Sequence, residues 1–153
     1  MAVVARLELD WLDAGGELAN FLAGRDADGA VVSFTGLARA RAADGGKVER
    51  LRLDWHPVMT ERSLADLAEA AAARFEVSDV TAIHRAGEIA PGEVIVFVAA
   101  ASPHRRQAFL AADYLMDRLK TEAMFWKHES GSDGGRWVEP TEQDRVDRAR
   151  WSD

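Results

Sequence analysis

The chain has no cysteine, one tyrosine and four prolines in 153 residues. Without cysteine there is no disulfide, no thiolate ligand for zinc or an iron–sulfur cluster, and no thiol nucleophile. That composition fits a reducing cytoplasm, the expected location. No apolar run approaches the ~20 residues of a membrane span. The opening Met1-Ala2-Val3-Val4-Ala5-Arg6 lacks a basic region followed by an apolar stretch, so neither a signal peptide nor a membrane partner is expected. Cations are the minority: 19 Lys and Arg against 26 Asp and Glu give a net charge of −7, which disfavours nucleic acid as a partner. His56, His84, His104 and His128 show neither H-x-H nor H-E-x-x-H spacing, so no metal site is expected. Ser102 has no G-x-S-x-G context and the chain has no P-loop, which disfavours hydrolase and phosphoryl-transfer chemistry.

What is present describes a folded domain. Hydrophobic residues make up 48% and charged residues 29% of the chain. A chain of this length buries roughly 68–70% of the surface that its unfolded form exposes, enough for a core without staples. We expect a single domain over residues 1–140 and a charged, frayed C-terminal tail over 141–153.

Alternation and β-branched content predict strands over 3–9 (an edge strand), 29–36, 48–55, 79–85, 93–101, 123–129 and 136–138. The stretch Glu93-Val-Ile-Val-Phe-Val-Ala-Ala-Ala101 is almost wholly apolar and reads as a central strand covered on both faces. A short helix is expected over 15–23. Beyond Pro57, the series Leu64, Leu67, Ala68, Ala71 and Phe75 follows one helical face. A third helix starts at Ser102-Pro103, with serine as N-cap, and presents Phe109, Ala112, Met116 and Leu119. Polar segments at 40–47 and 130–135 read as loop and turn. The five tryptophans read as core or interface. Helices and strands mix without strict βαβ alternation, so the fold class is α+β around a mainly antiparallel sheet.

The informative chemistry is local basicity in an acidic chain. His104 and Arg105 stand in the first turn of the third helix, where cations oppose the helix dipole unless an anion is bound. Solvated side chains on an exposed turn explain them equally well. Lys127 lies between Trp126 and His128, seven residues after Lys120. Desolvation and a neighbouring like charge lower a lysine pKa toward neutrality and fit it for proton transfer or nucleophilic attack. Two solvent-facing lysines on an edge strand are the plainer reading. Arg39 ends Phe34-Thr-Gly-Leu-Ala-Arg39, where Gly36 suggests a bulge or a close approach of ligand to backbone.

Taken in order, these segments resemble the large, catalytic subunit of molybdopterin synthase: Gly29 to Arg39, Ile83-His-Arg-Ala-Gly-Glu88, Pro91-Gly-Glu93, Ser102-Pro-His-Arg-Arg106, Leu119-Lys120, Phe125-Trp-Lys-His-Glu129 and Asp133-Gly-Gly-Arg-Trp137. Each is weak alone; at these spacings, from about Gly29 to Val138, they are specific. The resemblance implies an α/β hammerhead fold, no cofactor, and a role in molybdenum-cofactor biosynthesis. It implies conversion of cyclic pyranopterin monophosphate (precursor Z) to molybdopterin by building its dithiolene. Sulfur arrives as a thiocarboxylate on the C-terminal glycine of a small ubiquitin-like partner, which suits a chain with no cysteine of its own. The assembly it implies is a homodimer of large subunits with a small subunit at each end, a heterotetramer.

By the same resemblance Lys120 and Lys127 are the catalytic pair. Arg39, His104 and Arg105 bind the pterin phosphate together with the backbone of Leu37 and Ala38, and His128 and Glu129 flank the pocket. His104 and Arg105 serve the neighbouring subunit's lysines. Two segments depart from the family pattern: Met124-Phe125 replaces a proline–aliphatic pair, and Leu53-Asp54-Trp55-His56 replaces a Tyr-Glu-x-Tyr strand. The alternative is a non-catalytic homodimeric module that binds a phosphate or pterin in the same pocket.

Overall fold

A computed structural model describes residues 1–131 and 134–152. Ser132 and Asp133 of the expected turn, and the terminal Asp153, lie outside the described residues.

Two four-stranded sheets form the frame. The first has the order β1-β4-β6-β2, built from β1 (Ala2–Glu8), β2 (Ala30–Leu37), β4 (Asp79–Arg85) and β6 (Val94–Ser102). The second has the order β5-β3-β7-β8, built from β3 (Arg50–Trp55), β5 (Gly87–Ile89), β7 (Phe125–Gly131) and β8 (Gly134–Val138). The β1–β4 pair is parallel and the other pairs are antiparallel. The apolar run is β6, which sits between β4 and β2 as its composition requires. The N-terminal strand is an edge strand as expected; its parallel partner 77 residues away and the short β5 carry no local signal in the sequence.

The two faces of the first sheet bury different helices. On one face α2 (Met59–Arg74) and α3 (Arg105–Glu122) cover Val80, Ala82, Val96, Val98 and Ala100. The expected stripe Leu64, Leu67, Ala68 and Ala71 is buried there, with Phe75 partly so. On the other face α1 (Ala14–Leu22) packs Leu18 and Phe21 near Leu12, Ile83, Phe97 and Ala99. The third cluster joins the sheets: Ala38, Leu51, Leu53 and Ile89 are buried against Ile95 and Phe125.

Three expectations are corrected. First, α3 begins at Arg105 with His104 as N-cap, not at Ser102. The Ser102 hydroxyl is buried inside β6; it donates to the Glu76 carbonyl at 2.7 Å and accepts from the His104 N–H at 3.1 Å. Second, the buried stripe of α3 is Ala108, Ala111, Ala112, Leu115 and Leu119, so Phe109 falls off it and stands 59% exposed. Third, residues 142–149 of the expected tail form a helix rather than a frayed end. Thr141 and Asp144 form a capping box that starts α4 (Glu142–Ala149), and Trp151 packs edge-on against Phe75 and Tyr114 while its indole N–H donates to Asp117 at 2.6 Å. Ion pairs hold this charged stretch to α3: Arg148 to Glu122 at 2.8 Å and Arg150 to Asp117 at 2.7 Å. Trp151 is the one tryptophan in a core cluster; Trp11, Trp55, Trp126 and Trp137 are exposed.

Candidate active site

Strand pairing decides which β7 side chains share a face. Lys127 pairs with Leu53 and Glu129 with Leu51, and both leucines are buried. Cross-strand partners project to the same side, so Lys127 and Glu129 point with Phe125 toward the third apolar cluster. Lys127 therefore emerges half-buried at the margin of a small core. That burial pushes its ammonium below the ordinary lysine range, and the positive charge of Lys120 pushes the same way; Glu129 opposes, Arg39 adds a smaller depression, and Asp144 of α4 opposes weakly. Lys120 is exposed in the last turn of α3, where a cation suits the helix dipole. Lys120, Lys127 and Arg39 thus meet in one electrostatic neighbourhood.

Arg39 arrives there by way of a bulge. Gly36 pairs with Val96 but Leu37 pairs with Val94, so Ile95 is skipped and β2 leaves the sheet. A Cβ on Gly36 would lie 2.5 Å from the Val96 side chain, which explains glycine at the bulge. Leu37 is exposed and Ala38 buried, and Arg39 projects outward.

His128 is not brought to Lys127. As the alternate residue on β7 it faces the opposite side, edge-on against Trp137 at 5.0 Å, with the Arg52 guanidinium 5.7 Å from that indole. His104 and Arg105 are exposed at the start of α3, at the end of the helix remote from Lys120. The side chains of Arg39, His104, Arg105, Lys120 and Lys127 make no hydrogen bond or ion pair with the described residues, although those of Arg6, Arg25, Arg85, Arg118, Arg136, Arg148 and Arg150 all do. One cleft of the chain lies beneath the 42–48 loop against the β7–β8 hairpin, with Glu129 in its lining, and another lies between β1 and α1.

One residue at the site had no sequence signal as a functional group. His84, at the end of β4, stacks on Phe125 with ring centroids 4.2 Å apart. Its Nδ1 lies 2.8 Å from the Arg85 carbonyl, which only accepts, so Nδ1 carries the proton. Burial holds the imidazole down to about 4, with the charges of Lys120 and Lys127 adding to it and the Arg85 bond opposing. His84 is therefore a neutral ring beside two lysines. Phe125, one of the departures from the family pattern, supplies the stacking surface. The other departure also has a structural use: His56 Nδ1 accepts from the Val58 and Met59 N–H groups and caps α2.

The His84 ring gives a stability prediction. Its folded pKa is below the unfolded value of about 6.5, so the unfolded chain binds the extra proton as pH falls and stability is lost between pH 6.5 and 4. The loss attributable to this group is ~2 kcal/mol on going from pH 7 to pH 5. Urea unfolding of wild type and His84→Phe at the two pH values checks it: the variant should lose less stability by that amount, and equal losses would place the proton elsewhere.

Unpaired cations gathered round a desolvated lysine on a mixed α+β frame define an anion-handling enzyme subunit. Comparison with known proteins makes that class specific. The family model described as MoaE protein matches residues 9–122. The molybdopterin synthase catalytic subunit of Caulobacter vibrioides is 52% identical over 131 residues, covering 86% of this chain and 85% of the relative. That of Escherichia coli strain K12 is 48% identical over 136 residues, covering 89% and 90%. The solved structure of the molybdopterin biosynthesis MoaE protein from Burkholderia ambifaria superposes with a TM-score of 0.79 at 38% identity, covering 99% of this chain and 98% of that one. The chain belongs to the MoaE family, the catalytic subunits of molybdopterin synthase, and its function is in molybdenum-cofactor biosynthesis.

Among the described residues no helix is long and apolar enough to cross a membrane, and no group of three or more His, Cys, Asp or Glu is placed to hold a metal ion.

Proposed function

We propose that the chain transfers sulfur from the thiocarboxylated C-terminal glycine of a small ubiquitin-like partner to cyclic pyranopterin monophosphate, forming the dithiolene of molybdopterin. The observation that carries this reading is the half-buried Lys127 with Lys120 and Arg39 in its electrostatic reach. A thiocarboxylate and a phosphate are both anions, and the site gathers cations whose side chains have no hydrogen-bond or ion-pair partner among the described residues. Lys127, with its lowered pKa, moves protons at the reacting carbons; the exposed Lys120 draws in the thiocarboxylate tail. Glu129 shares the face of Lys127 and tempers its depression. The decisive assay mixes the chain with a thiocarboxylated small subunit and precursor Z and looks for the dithiolene. Substrate binding without product would leave the non-catalytic binding module as the reading.

Two copies build each site in this proposal. Arg105 opens α3 and Lys120 lies in its last turn, roughly 20 Å apart along the axis at 1.5 Å per residue. One pterin does not span that distance, whereas a two-fold axis sets the start of one helix beside the end of its partner. His104 and Arg105 then complete the phosphate site of the neighbouring chain, with Arg39 and the backbone of Leu37 and Ala38. In this arrangement His128 acts from the far face of β7, on the rim rather than at the lysines.

Arg39→Ala and Arg105→Ala are expected to weaken binding of the phosphorylated substrate about tenfold to a hundredfold, the worth of a charge-assisted hydrogen bond of roughly 1.5–3 kcal/mol. Titration with precursor Z and with an analogue lacking the phosphate checks the role. Wild type should lose affinity for the analogue, and the variants should lose nothing further.

A further inference from the structure

Arg85, the last residue of β4, is 4% exposed. A buried guanidinium is costly unless its donors are matched. Here Nη1 donates to the Glu93 carboxylate and Nη2 donates to the Glu88 carbonyl at 3.2 Å. Its Nε is buried with no acceptor, the one such side-chain atom among the described residues. The guanidinium thus joins β5 to the turn at 90–93 at the cost of one donor.

What that turn holds is the segment that carries Arg39. The Ala38 N–H donates to the Glu93 carbonyl at 2.9 Å, and the Gly92 N–H donates to the Ala38 carbonyl at 2.8 Å. Both backbone groups of Ala38 are therefore clamped by residues 92 and 93. The clamp is a tight turn: Glu93 N–H donates to the Ala90 carbonyl at 3.1 Å, Pro91 follows Ala90, and Gly92 has φ +89°, which an L side chain rarely adopts. Ala38 needs an external clamp because the bulge at Gly36 and Leu37 has just released the strand from the ladder. The Arg39 side chain has no hydrogen-bond or ion-pair partner among the described residues to fix it.

We propose that Arg85 is a positioning residue: through the Glu93 carboxylate and the 92–93 backbone it sets where Arg39 presents its guanidinium. This rests on the reading of Arg39 as a phosphate ligand.

The test is a double-mutant cycle in the complete synthase, with precursor Z as substrate. Glu93→Ala strips the buried Arg85 of its carboxylate and Arg85→Met removes the charge itself, so each variant is first checked for folding by circular dichroism and either one carries the test. Each is expected to raise KM about tenfold, with the loss on KM rather than kcat, and to add almost nothing in an Arg39→Ala background. Effects that multiply with Arg39→Ala would overturn the proposal, because a general weakening of the core is independent of Arg39. If Arg39→Ala alone leaves KM unchanged, the phosphate reading fails, and amide exchange at Ala38 decides the clamp. Faster exchange in Glu93→Ala upholds it, and unchanged exchange overturns it.

Discussion

Lys120→Ala is expected to lower dithiolene formation by ~10²–10⁴-fold while the chain remains folded. The fold should survive because Lys120 is exposed and makes no ion pair with the described residues; surface changes of this kind usually stay within about 0.5 kcal/mol. The loss has two sources. The ammonium that draws in the thiocarboxylate disappears. The like charge that helps to depress Lys127 disappears with it, so the Lys127 pKa rises and less free amine is present near neutral pH. The second source has a signature of its own: the pH–rate profile of Lys120→Ala should shift to higher pH, and Lys120→Arg should restore the profile without restoring the full rate. Activity within a few-fold of wild type, with normal binding of the small subunit, would refute the role.

The second large effect is a recovery. Lys120→Ala chains and Arg105→Ala chains should each be inactive or nearly so under limiting substrate. Mixed and allowed to exchange, they form dimers in which one site carries both substitutions and the other carries neither. Up to half of the activity per mixed dimer should return. The size follows from the geometry of α3 alone, because a residue at its start and one in its last turn cannot serve one small ligand within a chain. Proven exchange without recovery would mean that each site is built within one chain.

How far the sequence discloses this site depends on the range of the interactions that build it. Lys120, Lys127 and Arg39 sit in local patterns, a helix end, a strand and the segment after a strand, and the resemblance names them. β6 and the stripe of α2 follow from composition and period. The stacking of His84 on Phe125 joins residues 41 apart in sequence, and no periodicity reports it. The burial of Arg85 is equally silent, since an arginine after a histidine reads as a solvated strand end. The resemblance sets His128 beside the pocket, and the two-residue period of a strand puts it on the face of β7 opposite Lys127. Ser102 reads as a cap because it precedes a proline, yet β6 continues through it and the Glu76 carbonyl takes its hydroxyl. The C-terminal helix is hidden by its charge: its hydrophobic anchor is one tryptophan beyond the helix end.

The order of the first sheet also bears on how the chain is made. Both edge strands, β1 and β2, are translated before either of their partners: β1 waits for β4, which starts at Asp79, and β2 waits for β6, which ends at Ser102. At ~5–20 residues per second the ribosome leaves Ala2–Glu8 and Ala30–Leu37 without their ladders for several seconds. During that time Val31, Val32 and Phe34 present a β-prone surface to other nascent chains. The sheet is therefore complete only after more than 100 residues have been made, and conditions that slow translation should lengthen the aggregation-prone interval.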